Sequence, residues 1–248
     1  MKLALLIPDT HRPFHDRKAY DLMMNVAADL SVSEVVILGD YGDFYNVSSH
    51  KKDPRIFQLL TEEVESVLDG IDEIDKTFPS AKKVFIEGNH EYRLERYLVD
   101  NAPALFGITD TEHLLKLHSR PGWTFKPYSP HQSHRVLGSH LTARHEPPGS
   151  NAKLAATKAL CSVTYGHIHR IEESHIVGLD GRNYVAFSCG WLGDKHKDRV
   201  FGYVKGHWQW QLGFGLVWVD PATRYFYHQK IHIMDNHTCV VNGKKYKA

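Results

Sequence analysis

Cysteine is scarce in this chain of 248 residues: Cys161, Cys189 and Cys239 are the only three, an odd number set far apart. That excludes a disulfide framework and fits reduced thiols in a cytosolic setting. No apolar run approaches the roughly 20 residues of a membrane-spanning helix, so no membrane partner is expected. An excess of one charge is missing too. The 30 Lys and Arg against 29 Asp and Glu leave a net charge of +1, without a polybasic tail, so no global attraction to nucleic acid or acidic membranes is expected. No linker, repeat or low-complexity tract interrupts residues 1–248, and one domain with a full core is expected over that span. The apolar start, Met1-Lys2-Leu3-Ala4-Leu5-Leu6-Ile7, breaks at Pro8-Asp9 without a small-residue cleavage site. It reads as a first strand, not a leader.

Histidine, by contrast, is plentiful: there are 18. Five short segments carry candidate ligands in a set order: Asp9-Thr10-His11, Gly39-Asp40-Tyr41-Gly42-Asp43, Gly88-Asn89-His90-Glu91, Ala143-Arg144-His145 and Gly166-His167-Ile168-His169. Four of them follow an apolar, β-branched run of the kind that forms a buried strand: Leu3 to Ile7, Val35 to Leu38, Val84 to Ile86 and Val163 to Tyr165. A glycine after three of these runs lets the backbone turn sharply. The polar residues are therefore expected at strand C-termini, the edge where ligands bind an open α/β sheet. Carboxylate oxygen and imidazole nitrogen together suit Mn²⁺, Fe²⁺ or Zn²⁺. One aspartate can bridge two such ions roughly 3.5–4 Å apart, the spacing used for phosphoester hydrolysis. Asp40 is the candidate bridge. A cation pair held in this way binds both non-bridging oxygens of a phosphate and presents hydroxide in line with the leaving oxygen.

Read together, the segments follow the pattern D-x-H, G-D-x-x-D, G-N-H-[DE], a lone H, then G-H-x-H. Over about 160 residues the chain resembles the calcineurin-like metallophosphoesterases. The resemblance implies one metal held by Asp9, His11, Asp40 and His169 and a second held by Asp40, Asn89, His145 and His167. It also implies His90 as the general acid, with Asp43 orienting its ring. Two divalent ions are implied as cofactors, Mn²⁺ first, with Fe, Zn, Ni or Mg as alternatives. Arg93 and Arg96 follow the third segment and could contact a phosphate, Arg93 beside Asn89 as a substrate-binding group, although helical pairing with Glu91 and Glu95 also accounts for them.

Two positions depart from the pattern. Phe44-Tyr45 follows Asp43 where the protein-phosphatase branch carries an arginine, which argues against a Ser/Thr phosphatase. Glu146-Pro147-Pro148 follows His145 where many members have glycine, and His134 and His140 are other histidines near that position. The stretch Gly88 to Leu98, with Asp40 to Tyr45 and Ser150-Asn151-Ala152-Lys153, is similar to small phage and prophage metallophosphoesterases. That likeness implies the cytoplasm of a bacterial or phage-infected cell. The expected function is hydrolysis of a phosphodiester, in a nucleotide or a nucleic acid, by metal-activated hydroxide. A phosphomonoesterase or dinucleoside-polyphosphate hydrolase on the same site is the alternative, and a non-catalytic binding module is another.

Strand and helix signals alternate through the first half: strand 3–7, helix about 16–30, strand 34–38, helix about 55–76, strand 82–86 and helix about 91–98. Within the second helix Leu60, Val64, Val67, Leu68, Ile71 and Ile74 form the apolar face, and the acidic residues between them read as solvated. After Pro121 short strands and the hairpin signals Asp180-Gly181 and Asn242-Gly243 indicate a second sheet, interrupted by a helix about 151–160. The expected fold is α/β, a four-layer α/β-β/α sandwich of two facing mixed sheets flanked by helices. Lys195-His196-Lys197-Asp198-Arg199, then Lys205-Gly206-His207-Trp208-Gln209-Trp210, interleaves basic and aromatic groups as a base-stacking surface does. An ordinary loop and strand edge, with tryptophans filling the gap between sheets, is the preferred reading, because the excess of charge is small and partly offset by Asp194 and Asp198; His50-Lys51-Lys52 could add a second basic lip or be a solvated loop.

Overall fold

In the computed structural model, which describes residues 1–56, 59–147, 149–179, 181–197 and 209–248, the apolar runs become strands and the amphipathic stretches helices. In chain order these are β1 (Lys2–Ile7), α1 (Arg17–Ala28), β2 (Val32–Ile37), α2 (Leu60–Thr77), β3 (Lys82–Ile86), α3 (Arg93–Asn101), α4 (Thr111–Leu114), β4 (Trp123–Lys126), β5 (His134–Arg135) and β6 (Leu141–His145). They continue as α5 (Ala152–Ala159), β7 (Ser162–Gly166), β8 (Ile171–Val177), β9 (Asn183–Cys189), β10 (Gly213–Val219), β11 (Phe226–His232), β12 (Thr238–Val241) and β13 (Lys244–Lys247). One sheet has the order β11-β10-β1-β2-β3-β4, the other β5-β6-β7-β9-β8, and β12-β13 form a separate hairpin. β1 to β4 are parallel, as are β6, β7 and β9, while the outer strands β5, β8, β10 and β11 run antiparallel to their inner neighbours.

Strand periodicity sets the layers, because successive side chains point to opposite faces. Ala4, Leu6, Val36, Leu38, Val84 and Ile86 face the gap between the sheets and meet Leu141, Ala143, Val185 and Phe187 of the other. Leu3, Leu5, Ile7, Val35, Ile37 and Phe85 point the opposite way and bury the apolar faces of α1 and α2, among them Met23, Val26, Val67, Ile71 and Ile74. Ala152, Ala155 and Ala156 of α5 close the fourth layer over Val163, Tyr165 and Ala186. The architecture is thus the four-layer α/β-β/α sandwich of two facing mixed sheets. Side-chain caps begin three of the helices: Asp16 accepts from the Ala19 N–H at 3.0 Å, Asp110 from the His113 N–H at 2.8 Å and Asn151 from the Leu154 N–H at 3.0 Å.

Some placements differ from the sequence reading. A second sheet does follow Pro121, but β4, β10 and β11 join the first one, because Phe214 and Leu216 pack in the helix layer while Val217 and Val219 fill the inter-sheet gap. α2 begins at Leu60, five residues later than read, and residues 57–58 lie outside the described part. Glu63 is not solvated: it is buried, and its Oε1 accepts the Asn46 N–H at 2.9 Å. Asn242-Gly243 turns between β12 and β13 with φ of 50° and 78°, as a two-residue hairpin needs. Asp180 of the other hairpin signal lies outside the described residues. No helix among the described residues is long and apolar enough to cross a membrane.

Candidate metal centre

The loops leaving β1, β2, β3, β6 and β7 converge at the C-terminal edges of both parallel arrays, and each begins where an apolar strand runs out. Backbone approach there is too close for side chains. A Cβ on Gly88 would stand 2.2 Å from both the N and the Oδ1 of Asp40, and one on Gly39, with φ of 94°, 2.3 Å from His145 Nδ1. Four candidate ligands themselves adopt positive φ: His11 at 53°, Asp40 at 50°, His167 at 94° and His169 at 57°. Such conformations cost of order 1–3 kcal/mol each and persist only where the surroundings fix them. Glu91 does part of that fixing. Its buried carboxylate accepts from the N–H groups of Asp40 at 3.0 Å, Gly42 at 2.8 Å and Gly88 at 2.9 Å, tying the β2 loop to the β3 loop. Burial and the nearby Asp40 carboxylate push Glu91 up to about 8.

Three groups of donors result, of which His11, Asp43 and His90 form one and the other two share Asp40. Asp9, His11, Asp40 and His169 offer ligand atoms that all lie within 4.8 Å of one another, and so do Asp40, His145 and His167. Asp40 belongs to both. Asn89 Oδ1 completes the second group, 2.7 Å from His167 Nδ1 and 3.0 Å from His145 Nε2. The donor set fits cations. Asp9 Oδ2 is buried with no hydrogen-bond partner among the described residues, an arrangement that costs free energy unless a positive charge answers it. Nearby, the Nε2 atoms of His11 and His169 point at each other 3.0 Å apart. His145 donates its Nδ1–H to the Leu38 carbonyl at 2.8 Å, which leaves Nε2 facing Asp40 Oδ2 at 3.4 Å. This outer hydrogen bond is how ligating histidines are oriented.

Electrostatics point the same way. Burial opposes a charge on His145, yet the Asp40 carboxylate outweighs it and pushes the imidazole up to about 9. Burial likewise opposes the charge on Asp40, but His145 and His90 hold it well below the usual carboxylate range. Positive charge is therefore in demand between these groups, whether from a proton or from a metal. His167, buried and beside His145, is pushed down to about 4, so it stays a neutral donor. The buried His/Asp groups can thus hold metal ions. His134 and His140 stand elsewhere: His134 Nε2 is 3.2 Å from Glu34 Oε1 and His140 lies against the Tyr225 ring.

His90, Asp43 and Arg93 form a third constellation beside the first group. His90 donates its Nδ1–H to the Asp43 carbonyl at 3.0 Å, with Asp43 Oδ2 3.3 Å away. Asp43 Oδ2 also lies 3.0 Å from His11 Nδ1, so one carboxylate braces both rings. Arg93, nearly buried, donates to the Asp43 carbonyl at 2.8 Å and to Oδ1 at 3.2 Å, and its Nη2 reaches His90 Nε2 at 3.1 Å. Burial and Arg93 lower the affinity of His90 for a second proton. Arg93 therefore pairs across space with Asp43, not along its own helix with Glu91 or Glu95, because Glu91 is taken up by backbone N–H groups.

Sequence reasoning did not find Gln132 or Trp191, while Trp210 ends the basic-aromatic stretch it singled out. Gln132 Oε1 accepts the His145 N–H at 3.1 Å while its amide donates to the Glu87 carbonyl at 2.8 Å. Trp191 stacks on the His169 ring at 5.0 Å, and Trp210 meets its face edge-on at 4.2 Å. No local pattern marks Gln132 or Trp191. The whole group opens into a cavity of about 390 Å³ bordered by His90, Asn89, Arg93, Arg170 and Trp210. His50, Lys51 and Lys52 line a neighbouring cavity of about 410 Å³. Lys195 Nζ donates to Asp235 at 2.6 Å, and residues 198–208 of the basic-aromatic stretch lie outside the described residues.

No protein-family model matches the chain. It is 30% identical to the Gene 54 protein of Mycobacterium phage D29 over 240 residues, 88% of this chain and 89% of that protein. With the Gene 54 protein of Mycobacterium phage L5 the identity is 28% over the same length and shares. Among solved structures, Vps29 of Chaetomium thermophilum is similar with a TM-score of 0.48 and 14% identity, covering 100% of this chain and 99% of that one. The E. coli phosphoesterase YfcE gives 0.41 and 14%, covering 92% and 98%.

Proposed function

We propose that this chain, which belongs to the family of the mycobacteriophage Gene 54 proteins, is a dinuclear-metal phosphoesterase that hydrolyses a phosphodiester in a nucleotide or nucleic acid. The observation that carries the reading is the convergence of Asp9, His11, Asp40, Asn89, His145, His167 and His169 from both sheets, with Asp40 shared between two donor groups. Asp9, His11, Asp40 and His169 hold one cation in this reading and Asp40, Asn89, His145 and His167 the other, Mn²⁺ being the ion proposed. A cation pair supplies, when bound, Lewis acidity toward phosphate oxygens and a water of lowered pKa. His90 is assigned the proton for the leaving oxygen, and Asp43 holds its ring. Arg93, 3.1 Å from His90 Nε2, stands where a phosphate oxygen would be received.

A diester is preferred because Phe44, after Asp43, is fully buried and offers no cation to the two free oxygens of a monoester. One observation favours the phosphomonoesterase alternative: Arg93 borders the cavity and could grip such a group. The experiment is hydrolysis of bis-p-nitrophenyl phosphate against p-nitrophenyl phosphate by one metal-stripped, Mn²⁺-reconstituted preparation, compared as kcat/KM. Preference for the diester supports the reading and preference for the monoester replaces it with the alternative. Inertness toward both, with two metals bound, returns the chain to a binding role.

A further inference from the structure

The chain between the Asp40 turn and α2 builds a second concavity against the first. Its volume is about 410 Å³, and Tyr45, His50, Lys51, Lys52, Arg55 and Arg93 are among the residues that line it. The cavity over the metal-type donors, about 390 Å³, shares His50 and Arg93 with it, so one wall serves both. Both volumes lie within the roughly 300–1,000 Å³ of small-ligand sites. The charge in the second cavity is mostly positive. Of its two acidic lining groups, Asp43 is already met by His11, His90 and Arg93, and Asp53 is paired with Arg55 at 2.6 Å. That pair is bidentate, Nε to Oδ1 at 2.8 Å and Nη2 to Oδ2 at 2.6 Å, and it leaves the rest of the exposed Arg55 guanidinium turned to the cavity's solvent side, where Lys51 and Lys52 add their charge.

Building on the phosphodiester reading above, we propose that this second cavity holds the phosphate next to the scissile one, and that the substrate is a single-stranded nucleic acid. Lys51, Lys52 and Arg55, all exposed, meet that phosphate. Across the donor-group cavity Trp210 and Arg170 line the same wall, an aromatic and a cationic group of the kinds on which unstacked bases rest. A single strand can bend through two adjoining hollows. A duplex, stiff over about 150 base pairs, cannot thread its backbone into either.

Fluorescence anisotropy tests this with Mn²⁺-loaded protein and a non-hydrolysable phosphorothioate oligothymidylate of about 12 nucleotides, across a salt series. For the Lys51→Ala/Lys52→Ala/Arg55→Ala variant, Kd is expected to rise at least about tenfold. The slope of log affinity against log salt should flatten by about 0.7, the share of the one phosphate these cations meet. Lys51→Arg/Lys52→Arg should bind like the wild type. If the triple variant melts early, Lys51→Glu alone carries the test with the same two readouts. An unchanged slope, with or without an unchanged Kd, overturns the proposal, and so does a duplex of equal length that binds as tightly as the single strand. Wild-type hydrolysis of bis-p-nitrophenyl phosphate is scored separately. Its absence beside a flattened slope would remove the enzymatic reading and leave the strand-binding cavity standing.

Discussion

Asp40 and His90 sit 4.0 Å apart at their nearest charged atoms, yet their loss should read out differently. Asp40→Asn replaces a two-oxygen anion shared by both donor groups with a neutral amide, so metal content by elemental analysis should fall from two ions to fewer than one, and turnover should go with it. His90→Gln keeps the donors and should keep both ions, while the rate drops about 10²- to 10⁴-fold, the usual range for a lost general acid. Equal metal loss in the two variants would contradict the division of labour. Glu63, far from this chemistry in role, sets a pH dependence. Burial pushes it up to about 7 from an ordinary 4.5, so the stability that goes with its neutral form is complete below about pH 4.5 and is lost as pH rises through about 7. Glu63→Gln should therefore melt higher than the wild type at pH 8, by of order 1–3 kcal/mol, and the gap should close by pH 5. Thermal melts at the two pH values check this.

At the level of loops and helices, the fit between the β2 and β3 turns governs the site. Gly88→Ala would drive a methyl into Asp40, with 2.2 Å available. It should cost about 1–3 kcal/mol by crowding and displace the shared carboxylate, seen as weakened metal binding in titration calorimetry. Glu91→Ala removes the acceptor of three backbone N–H groups and should lower metal affinity about 10- to 100-fold, as loss of an outer support does. The strands and the gathering of the candidate donors at their ends were legible because apolar β-branched runs, glycine punctuation and the D-x-H to G-H-x-H order are local signals. Glu91 was not, because two of its three partners are backbone groups about 50 residues away, for which side-chain patterns carry no code. The plainer alternative for Arg93 failed for a related reason: the helical pairing rule named Glu91 and Glu95, and a tertiary contact with Asp43 took their place. Strand membership failed likewise for β10, since a sequence apolar on both faces states that it is buried without stating in which sheet, and for β11, which pairs with it as the edge strand.

For the molecule as a whole, the donors straddle the sandwich: Asp9, His11, Asp40 and Asn89 follow strands of one sheet, His145, His167 and His169 those of the other. Bound cations would cross-link the sheets, so chelation should lower Tm and reconstitution should restore it. At an ion concentration 100 times Kd the stabilisation is about 2.7 kcal/mol. A Tm indifferent to chelator, in a preparation shown to lose its ions, would place the ions outside the inter-sheet seam.

The Trp191 indole stacked on the His169 ring at 5.0 Å has a further use. A paramagnetic ion seated on that imidazole would sit within quenching range of a fluorophore, so the protein carries its own optical gauge of occupancy. Mn²⁺ titration should dim the tryptophan emission in step with loading, and because Trp210 lies at 4.2 Å from the same ring, Trp191→Phe and Trp210→Phe together should remove most of that response while leaving the bound ions in place.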